Sequence, residues 1–548
     1  MIKQKRSKGS TLSSTIAFLL LFIVLISFPA CRRPKPDHYN VIFMTLDTTR
    51  ADYIDTGTAE GARAFTPALR RFAKDAIVCD RAFCTIPQTL PSHLSMLTSY
   101  FPRELGVLGN ENPYDGRFKM LPQVFKENRY HTAGIISLGT LGSKTGFARG
   151  FDEFHENLNK PGVFFAPAQK VTNEAISILN RIKDDRFFFF IHYSDPHTPY
   201  APPDVNNHFT LSIDGKPVSQ FNAYWGAILK MEIPLTAGEH TVDLKLAHPT
   251  TDFEFFVLRR LKLSENCKVV DQKNIEYSEK YYNGSFLFRG QEGRLRVKAR
   301  GAGTMKLFQV IPILKRESAV NYYRRETEYM DIHVGRLLKF LNDSRLLDHT
   351  IVVITADHGE GLGERDGYFA HLKYLNQQFI RVPLMIHLPG MDPGRIADPV
   401  SLSWLPSALL EFTGIDATGF KNRHLLLPLI QNEKPKTNGN SHPIYSYVFK
   451  PSAGEDRLSI IQWPYQCILN YGADNRPDRE FYNLALSPSF RRMDEYAMEV
   501  LMKRSPLAYR FFQQACGRAK TLFLSPVSTR TSADNNQIEN LKSIGYLE

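Results

Sequence analysis

Four short segments of this 548-residue chain carry side chains able to bind a cation, act as a nucleophile or move a proton. The first is the apolar run Asn40 to Leu46 ending in Asp47, with Thr48, Thr49 and Arg50 behind it. A buried strand that ends in Asp delivers its carboxylate to the carboxyl edge of a parallel sheet, where α/β proteins gather ligands and metals. A turn or cap is the plain alternative for an isolated Asp. The second segment is Thr89-Leu90-Pro91-Ser92-His93, followed by Leu94, Met96 and Leu97 at helical spacing. Pro91 suits a first turn, so the Thr89 hydroxyl sits at a helix N-terminus where free N–H groups and the dipole favour developing negative charge. A simple threonine N-cap is the alternative. The third is the β-branched run Ile351 to Thr355, then Ala356-Asp357-His358-Gly359-Glu360, with Gly361, Gly363, Glu364 and His371 further on. Asp357 and His358 offer an oxygen and a nitrogen ligand suited to a divalent cation such as zinc or manganese, and the glycines let backbone approach closely. The fourth is His192-Tyr193-Ser194-Asp195-Pro196-His197, again after an apolar run. Histidines there can bind an oxyanion or protonate a leaving group near neutral pH.

These segments need a scaffold that brings them to one place. From Tyr39 onward, short β-branched and aromatic runs alternate with segments of helical period, the pattern of an α/β fold with a largely parallel sheet. Strands are expected over Asn40–Leu46, Thr132–Ser137, Phe187–Tyr193, Thr350–Thr355 and Val382–His387. A covering helix is expected over Asn321–Asn342, because Tyr322, Tyr329, Met330, Val334, Leu337, Leu338 and Leu341 recur at steps of three and four. Between about 206 and 317 the period changes to two, as in Phe209, Leu211, Ile213 and in Leu295, Val297, Ala299, with glycine turns between the runs. That fits a β-sandwich module inserted within the α/β unit, separable enough that its deletion should leave a folded core. The division expected is a leader over 1–31, catalytic segments over 38–205 and 318–548, and the insertion over 206–317. Arg294, Arg296, Lys298 and Arg300 lie on one face of an inserted strand, either to hold an anionic glycan or lipid or as a solvated outer face.

The net charge of +12 favours anionic partners but says nothing of fold. No nucleic-acid partner is expected. The chain opens with Lys3, Lys5, Arg6 and Lys8, an apolar run from Ile16 to Ile26, then Ala30-Cys31. That is the layout of a secretory signal, and Ala30-Cys31 resembles the lipobox of bacterial lipoproteins, in which the cysteine is acylated. An uncleaved apolar anchor and simple secretion are the alternatives. All three place the protein outside the cytoplasm, and the first two anchor it to a membrane. The five further cysteines are an odd number with no CxxC spacing, which excludes a dense disulfide scaffold and a zinc finger. One pair, Cys79 with Cys84, is the disulfide to consider.

The strand-Asp, Thr89-Leu90-Pro91-Ser92-His93 with SMLTSYFPRELGV behind it, HYSDPHTPY and ITADHGEGLGE stand in the order in which sulfatase-family proteins carry their motifs. The likeness continues in Glu328-Tyr329-Met330-Asp331, Arg381-Val382-Pro383-Leu384, Glu480-Phe481-Tyr482-Asn483-Leu484 and the terminal Leu541 to Leu547, so it covers most of the chain outside the insertion. The chain therefore resembles the sulfatase and alkaline phosphatase superfamily. The resemblance implies a three-layer α/β/α sandwich, an inserted β-sandwich and one divalent cation (manganese, zinc, calcium or magnesium). It puts Asp47, Thr89, Asp357 and His358 on the metal, Thr89 also as nucleophile, His197 and His371 at the reacting group, and His192, Arg50 and Lys373 on the substrate.

Two departures bear on the chemistry. Sulfatases carry Cys or Ser, converted to formylglycine, in C/S-x-P-x-R, whereas Thr89, Pro91 and His93 stand here, and threonine cannot be so converted. Thr48 also stands where the family has a second acidic ligand. The set Asp, Thr, Asp, His resembles phosphonate monoester hydrolases and lipoteichoic acid synthases. A sulfated formylglycine hydrate expels sulfate with its second hydroxyl. A threonine ester must wait for attack by water, which phosphorus accepts readily when a metal neutralises its oxygens. The expected function is hydrolysis or transfer of a phosphate or phosphonate ester borne by a lipid or glycan. The alternatives are a polysaccharide sulfatase and an inactive, lipid-anchored glycan-binding protein. Mass spectrometry of membrane-purified protein should find a lipid on Cys31; an unmodified Cys31 in an intact N-terminus would refute lipidation.

Overall fold

In the computed structural model, the three most apolar of these runs lie side by side in the middle of one sheet. The structure describes residues 38–485, apart from 59–60, 157–164, 199, 201, 204–207, 223–230, 248–251, 260, 280–284, 291, 308, 434–441, 450–455 and 473–476, with scattered residues from 493 to 517. The leader, Cys31 and the terminal motif from Leu541 lie outside the described residues. Eight strands form the central sheet: β1 (Asn40–Leu46), β2 (Ile77–Cys79), β3 (His131–Ile135), β4 (Glu153–His155), β5 (Phe187–Tyr193), β6 (Thr350–Thr355), β7 (Leu384–His387) and β8 (Gly394–Ile396). Their spatial order is β8-β2-β7-β6-β1-β5-β3-β4. Every residue of β1, β5 and β6 is buried, as expected of strands covered on both faces. β1 pairs in parallel with both β6 and β5, so the carboxyl ends of all three point the same way.

Helices cover this sheet. α1 (Pro67–Lys74) and α3 (Ala168–Ile182) each pack on α4 (Arg316–Asp343), while α2 (Thr89–Thr98) packs against the helices Leu121–Glu127 and Leu405–Thr413. The layers form the three-layer sandwich of the alkaline phosphatase-like fold. Besides β3, which ends at Ile135 rather than Ser137, two elements differ from expectation. Pro383 lacks the N–H a ladder needs and divides the run at 382–387 into Arg381–Val382 and β7, and β7 runs antiparallel to β6 and β2. α4 starts earlier than its apolar stripe, because Ser318 and Tyr322 in its first turns donate to the Asp252 carboxylate of the inserted strands, at 2.9 and 2.7 Å.

The inserted strands between His208 and Leu314 pair antiparallel in sheets of five, four and three strands around their own apolar cluster, which includes Phe209, Phe256, Phe288 and Val297. The basic stripe on Glu292–Ala299 faces acids on neighbouring strands: Arg294 pairs with Asp243, and both Arg296 and Lys298 with Glu239. It is a solvated, ion-paired face. The four-stranded inserted sheet has a second apolar face, where Phe255, Val257, Leu287 and Ile311 pack with Phe165 and Leu372 of the α/β unit. The module is therefore seated on the rest of the protein through this face. Beyond it, a four-stranded antiparallel sheet (Ile444–Val448, Asp456–Gln462, Tyr465–Tyr471, Pro477–Asn483) packs Tyr447, Leu458 and Ile460 on Ile86. Cys79 and Cys84 are both buried and free, so they form no disulfide.

One buried carboxylate ties two helices. Asp331 of α4 accepts from the amides of Ala68 and Leu69 in the first turn of α1, at 3.0 and 2.9 Å. These are N–H groups that a helix cannot bond internally. Asp331→Ala should lower unfolding stability by about 2 kcal/mol, because two buried donors lose their acceptor. Asp331→Asn should cost less. Equal denaturation midpoints for Asp331→Ala and wild type would show that the cap contributes nothing.

Candidate active site

The parallel trio of β6, β1 and β5 brings the polar ends of three sequence segments together. Asp47 follows β1, Asp357 and His358 follow β6, and His192 lies near the end of β5. One ligand atom from each of Asp47, Asp357 and His358 lies within 4.8 Å of the others, and all three residues are completely buried. Asp47 Oδ1, Asp357 Oδ2 and His358 Nε2 lack any hydrogen-bond partner. The remaining atoms are bonded away from this point. Asp357 Oδ1 accepts from the amides of Thr48, at 3.1 Å, and His358, at 2.8 Å. His358 Nδ1 donates to the Gly359 carbonyl at 3.0 Å, which leaves the Nε2 lone pair directed at the carboxylates. Burial pushes both carboxyl groups well above the usual carboxylate range, and for Asp357 the neighbouring Asp47 adds to it. Burial likewise holds His358 far below an ordinary imidazole. Two carboxylates and a neutral imidazole, with unbonded atoms converging in a dry site, fit a divalent cation.

Thr48 turns the chain here. Its φ of +55° is a left-handed conformation that a β-branched residue adopts rarely, and it aims the Thr48 amide at Asp357. Its hydroxyl donates to the Asp47 carbonyl, so the side chain does not replace the missing acidic ligand. The Tyr323 hydroxyl of α4 donates to the Thr48 carbonyl at 2.7 Å and accepts from the Arg50 amide at 2.9 Å, clamping the turn.

Thr89 is the first residue of α2, after an extended Gln88, so it is inside the helix rather than at its N-cap. The turn behind it is fixed to the metal-binding segment. Ser92 Oγ donates to the Asp357 carbonyl at 2.7 Å, and His93 Nδ1 donates to the Thr89 carbonyl at 2.7 Å while lying 3.5 Å from Asp357 Oδ2. His93 Nε2 accepts from Thr45 Oγ1 of β1. Burial and the nearby His192 keep His93 neutral.

His197 and His371 join this group. Ring centroids are 4.2 Å apart for His358 and His371 and 5.2 Å for His371 and His197. His371 Nδ1 faces the buried Glu360 carboxylate at 3.3 Å, and His197 Nδ1 donates to the Thr198 carbonyl at 2.7 Å. Burial pushes His371 down to about 3 and His197 well below its ordinary value, so each is neutral until an anion arrives.

Three expected substrate contacts stand elsewhere. His192 lies behind Asp47: its Nδ1 accepts from the Ser137 amide, so Nε2 carries the proton donated to Asp47 Oδ2 at 3.0 Å. It orients a carboxylate rather than meeting substrate. Arg50 is fully buried with its guanidinium spent on Asp52, Glu364 and the Glu360 carbonyl. Lys373 lies over the Tyr374 ring, on a separate cavity of about 730 Å³ shared with Arg365 and Glu480. Sequence reasoning missed Ser137, Tyr323 and the role of Glu360, although Glu360 stood within the ADHGEG motif.

The parallel trio, with a cluster of Asp47, Asp357 and His358 that could hold a metal ion at its carboxyl edge, belongs to an ester hydrolase of the alkaline phosphatase-like fold. The sulfatase family model matches residues 39–415, and the chain belongs to the sulfatase family. It is similar to an N-acetylglucosamine-6-O-sulfatase of Bacteroides thetaiotaomicron, 25% identical over 81% of this chain and 80% of that one. Human iduronate 2-sulfatase is 25% identical over 65% of this chain and 60% of its own length. Among solved structures, a complex with D-glucosamine-2-N,6-O-disulfate as substrate superposes with a TM-score of 0.59 at 16% identity, over 90% of this chain and all of that one. The phosphonate monoester hydrolase of Agrobacterium radiobacter gives 0.57 at 14% identity, over 88% and 96%. At these identities the superpositions speak for the fold alone.

The paired carboxylates generate a pH prediction. Their folded-state pKa values lie above the unfolded ones, so their contribution is greatest when protonated and is lost as pH rises through the folded values. Metal-free protein should therefore lose thermal stability as pH rises above the ordinary carboxylate range, and Asp357→Asn should flatten that loss. Added zinc or manganese should reverse it in wild type only. A metal-free wild type with the same pH profile as Asp357→Asn would refute the assignment.

Proposed function

We propose that this chain is a metal-dependent hydrolase of an anionic ester on a glycan, with Thr89 as nucleophile and with phosphate or phosphonate esters preferred over sulfate. The observation that carries the reading is the clamping of the Thr89 turn to Asp357, through Ser92 and His93, within a group of buried neutral histidines. Asp47, Asp357 and His358 would hold the cation, with Thr89 beside it. A divalent cation there supplies positive charge for the ester oxygens and makes a nearby hydroxyl more acidic. Thr89 Oγ1 attacks the phosphorus in line, the bond to the leaving oxygen breaks, and the Thr89 proton passes through a site imidazole to that oxygen. His197 and His371 are the imidazoles placed for this transfer, with Nδ1 of His197 donating to the Thr198 carbonyl and Nδ1 of His371 facing Glu360. Water then attacks the phosphorus of the threonine ester, releasing the phosphate or phosphonate and restoring the hydroxyl.

A second reading, hydrolysis of a sulfate ester on a sugar, is favoured by the N-acetylglucosamine-6-O-sulfatase likeness over most of both chains. Threonine argues against it, since its sulfate ester has no second hydroxyl with which to expel sulfate. The glycan itself is proposed from the same relative and from the superposed glucosamine disulfate complex.

Thr89→Ala should abolish turnover while remaining folded, because it removes one hydroxyl and one methyl from a helix that packing holds in place. The measurements are turnover of bis(4-nitrophenyl) phosphate, 4-nitrophenyl phenylphosphonate and 4-nitrophenyl sulfate, and a search for phosphothreonine in acid-quenched wild type. Near-normal activity in the variant removes Thr89 from the mechanism. Wild-type turnover of the sulfate ester alone would favour the second reading.

A further inference from the structure

The inserted strands meet the site through the second apolar face of their four-stranded sheet. Strand Phe253–Arg259 alternates between two destinations: Phe256 and Leu258 point into the module's own core, whereas Phe255 and Val257 point away from it. Leu287 and Ile311 lie on that second face, and all four side chains are at most 5% exposed. Packed against them are Phe165 and Leu372 of the α/β unit, together with Ile313 of the module. Leu372 directly follows His371, and the Phe165 ring lies 5.5 Å from the ring of His197. Beyond those two histidines comes His358, in ring contact with His371. The module is held against α4 at another point, where Asp252 accepts from Lys315, Ser318 and Tyr322. A sheet apolar on both faces has to be covered on both, and here the second cover is the pair of residues next to the substrate-side histidines.

We propose that the inserted module is a positioning element of the active site: its second apolar face, seated on Phe165 and Leu372, fixes His197 and His371 over the cation-binding cluster. The inference rests on the assignment of those two histidines to the reacting group. Close packing makes the link physical, since a side chain held on all sides cannot shift without its neighbours. Placement errors of about 1 Å at a reacting group can cost on the order of a hundredfold in rate. The plain alternative is a surface that only keeps the module attached.

The two separate in the imidazole spectrum of the full chain, labelled with ¹⁵N-histidine, loaded with zinc and assigned through His197→Gln and His371→Gln. Val257→Ala and the milder Ile311→Val act on the second face. Val297→Ala, at a buried position in the module's own core, is the control. The two second-face variants should move the His197 and His371 signals and lower kcat for bis(4-nitrophenyl) phosphate or 4-nitrophenyl sulfate roughly tenfold. Val297→Ala should do neither. The signal of His131, paired with Glu153 on strands at the far edge of the central sheet, should stay in place throughout. Unmoved His197 and His371 signals in both second-face variants would overturn the proposal, as would equal movement in Val297→Ala. If Val257→Ala unfolds the module and the two signals remain at their wild-type positions, the proposal also fails. Movement in Ile311→Val with the module folded supports it. Wild type inert toward both esters would count against the hydrolase reading alone, while the imidazole signals still decide this one.

Discussion

Two carboxylates buried within a few ångströms of each other, with no cationic side chain between them, are the constraint around which this protein is arranged. Asp47 and Asp357 are both fully buried and their nearest imidazole, His358, is neutral. Such a pair is costly in a low-dielectric interior unless it is protonated or holds a cation. The architecture keeps it in place by force of packing: neighbouring parallel strands made wholly of buried residues end at these two positions. Two backbone amides, of Thr48 and His358, point at the Asp357 carboxylate.

Around that pair, hydrogen bonds select which atom of each side chain is left for chemistry. His192 is held by Ser137 as the tautomer that donates to Asp47, whereas His358 is held by Gly359 as the tautomer whose Nε2 is free. Tyr323 reaches across from α4 to hold the strained turn at Thr48, which in turn offers its amide to Asp357. The site therefore depends on residues that do not belong to its motifs. Arg50 belongs with these. Through Asp52 and Glu364 it joins the segment after β1 to the one after β6, with charge-assisted bonds in a buried setting.

Much of this was legible in the chain, for reasons that differ by residue. β1, β5 and β6 begin and end where their apolar runs do, because strands buried on both faces leave a continuous signal. Asp47, Asp357 and His358 were legible as a group because ligand-type residues directly after such strands have few other uses. The direction of β7 was not legible, since a short buried run does not encode which way it pairs. The misplacements of His192, Arg50 and Lys373 share a cause: proximity in sequence to a motif does not say which face of a turn a side chain takes. The seat of the inserted module did leave a trace. Phe253-Glu254-Phe255-Phe256-Val257-Leu258 is apolar at successive positions, unlike Glu292-Gly293-Arg294-Leu295-Arg296-Val297, which alternates and is covered on one face only.

The place of β1 in the chain governs when the protein becomes competent. It is the first described strand, yet its two neighbours arrive at 187–193 and 350–355, and the contact between Thr48 and Asp357 spans 309 residues. Such non-local pairing closes large loops before any contact rewards it, which slows folding. At synthesis rates of about 5–20 residues per second, the segment that completes the central trio follows the first by on the order of tens of seconds. Through that interval β1 lacks the second of its two neighbours, while the inserted strands have all they need to pair among themselves. The Asp47, Asp357 and His358 cluster thus comes into being at the final closure of the sheet, and a nascent chain that stalls before residue 350 lacks two of its three members.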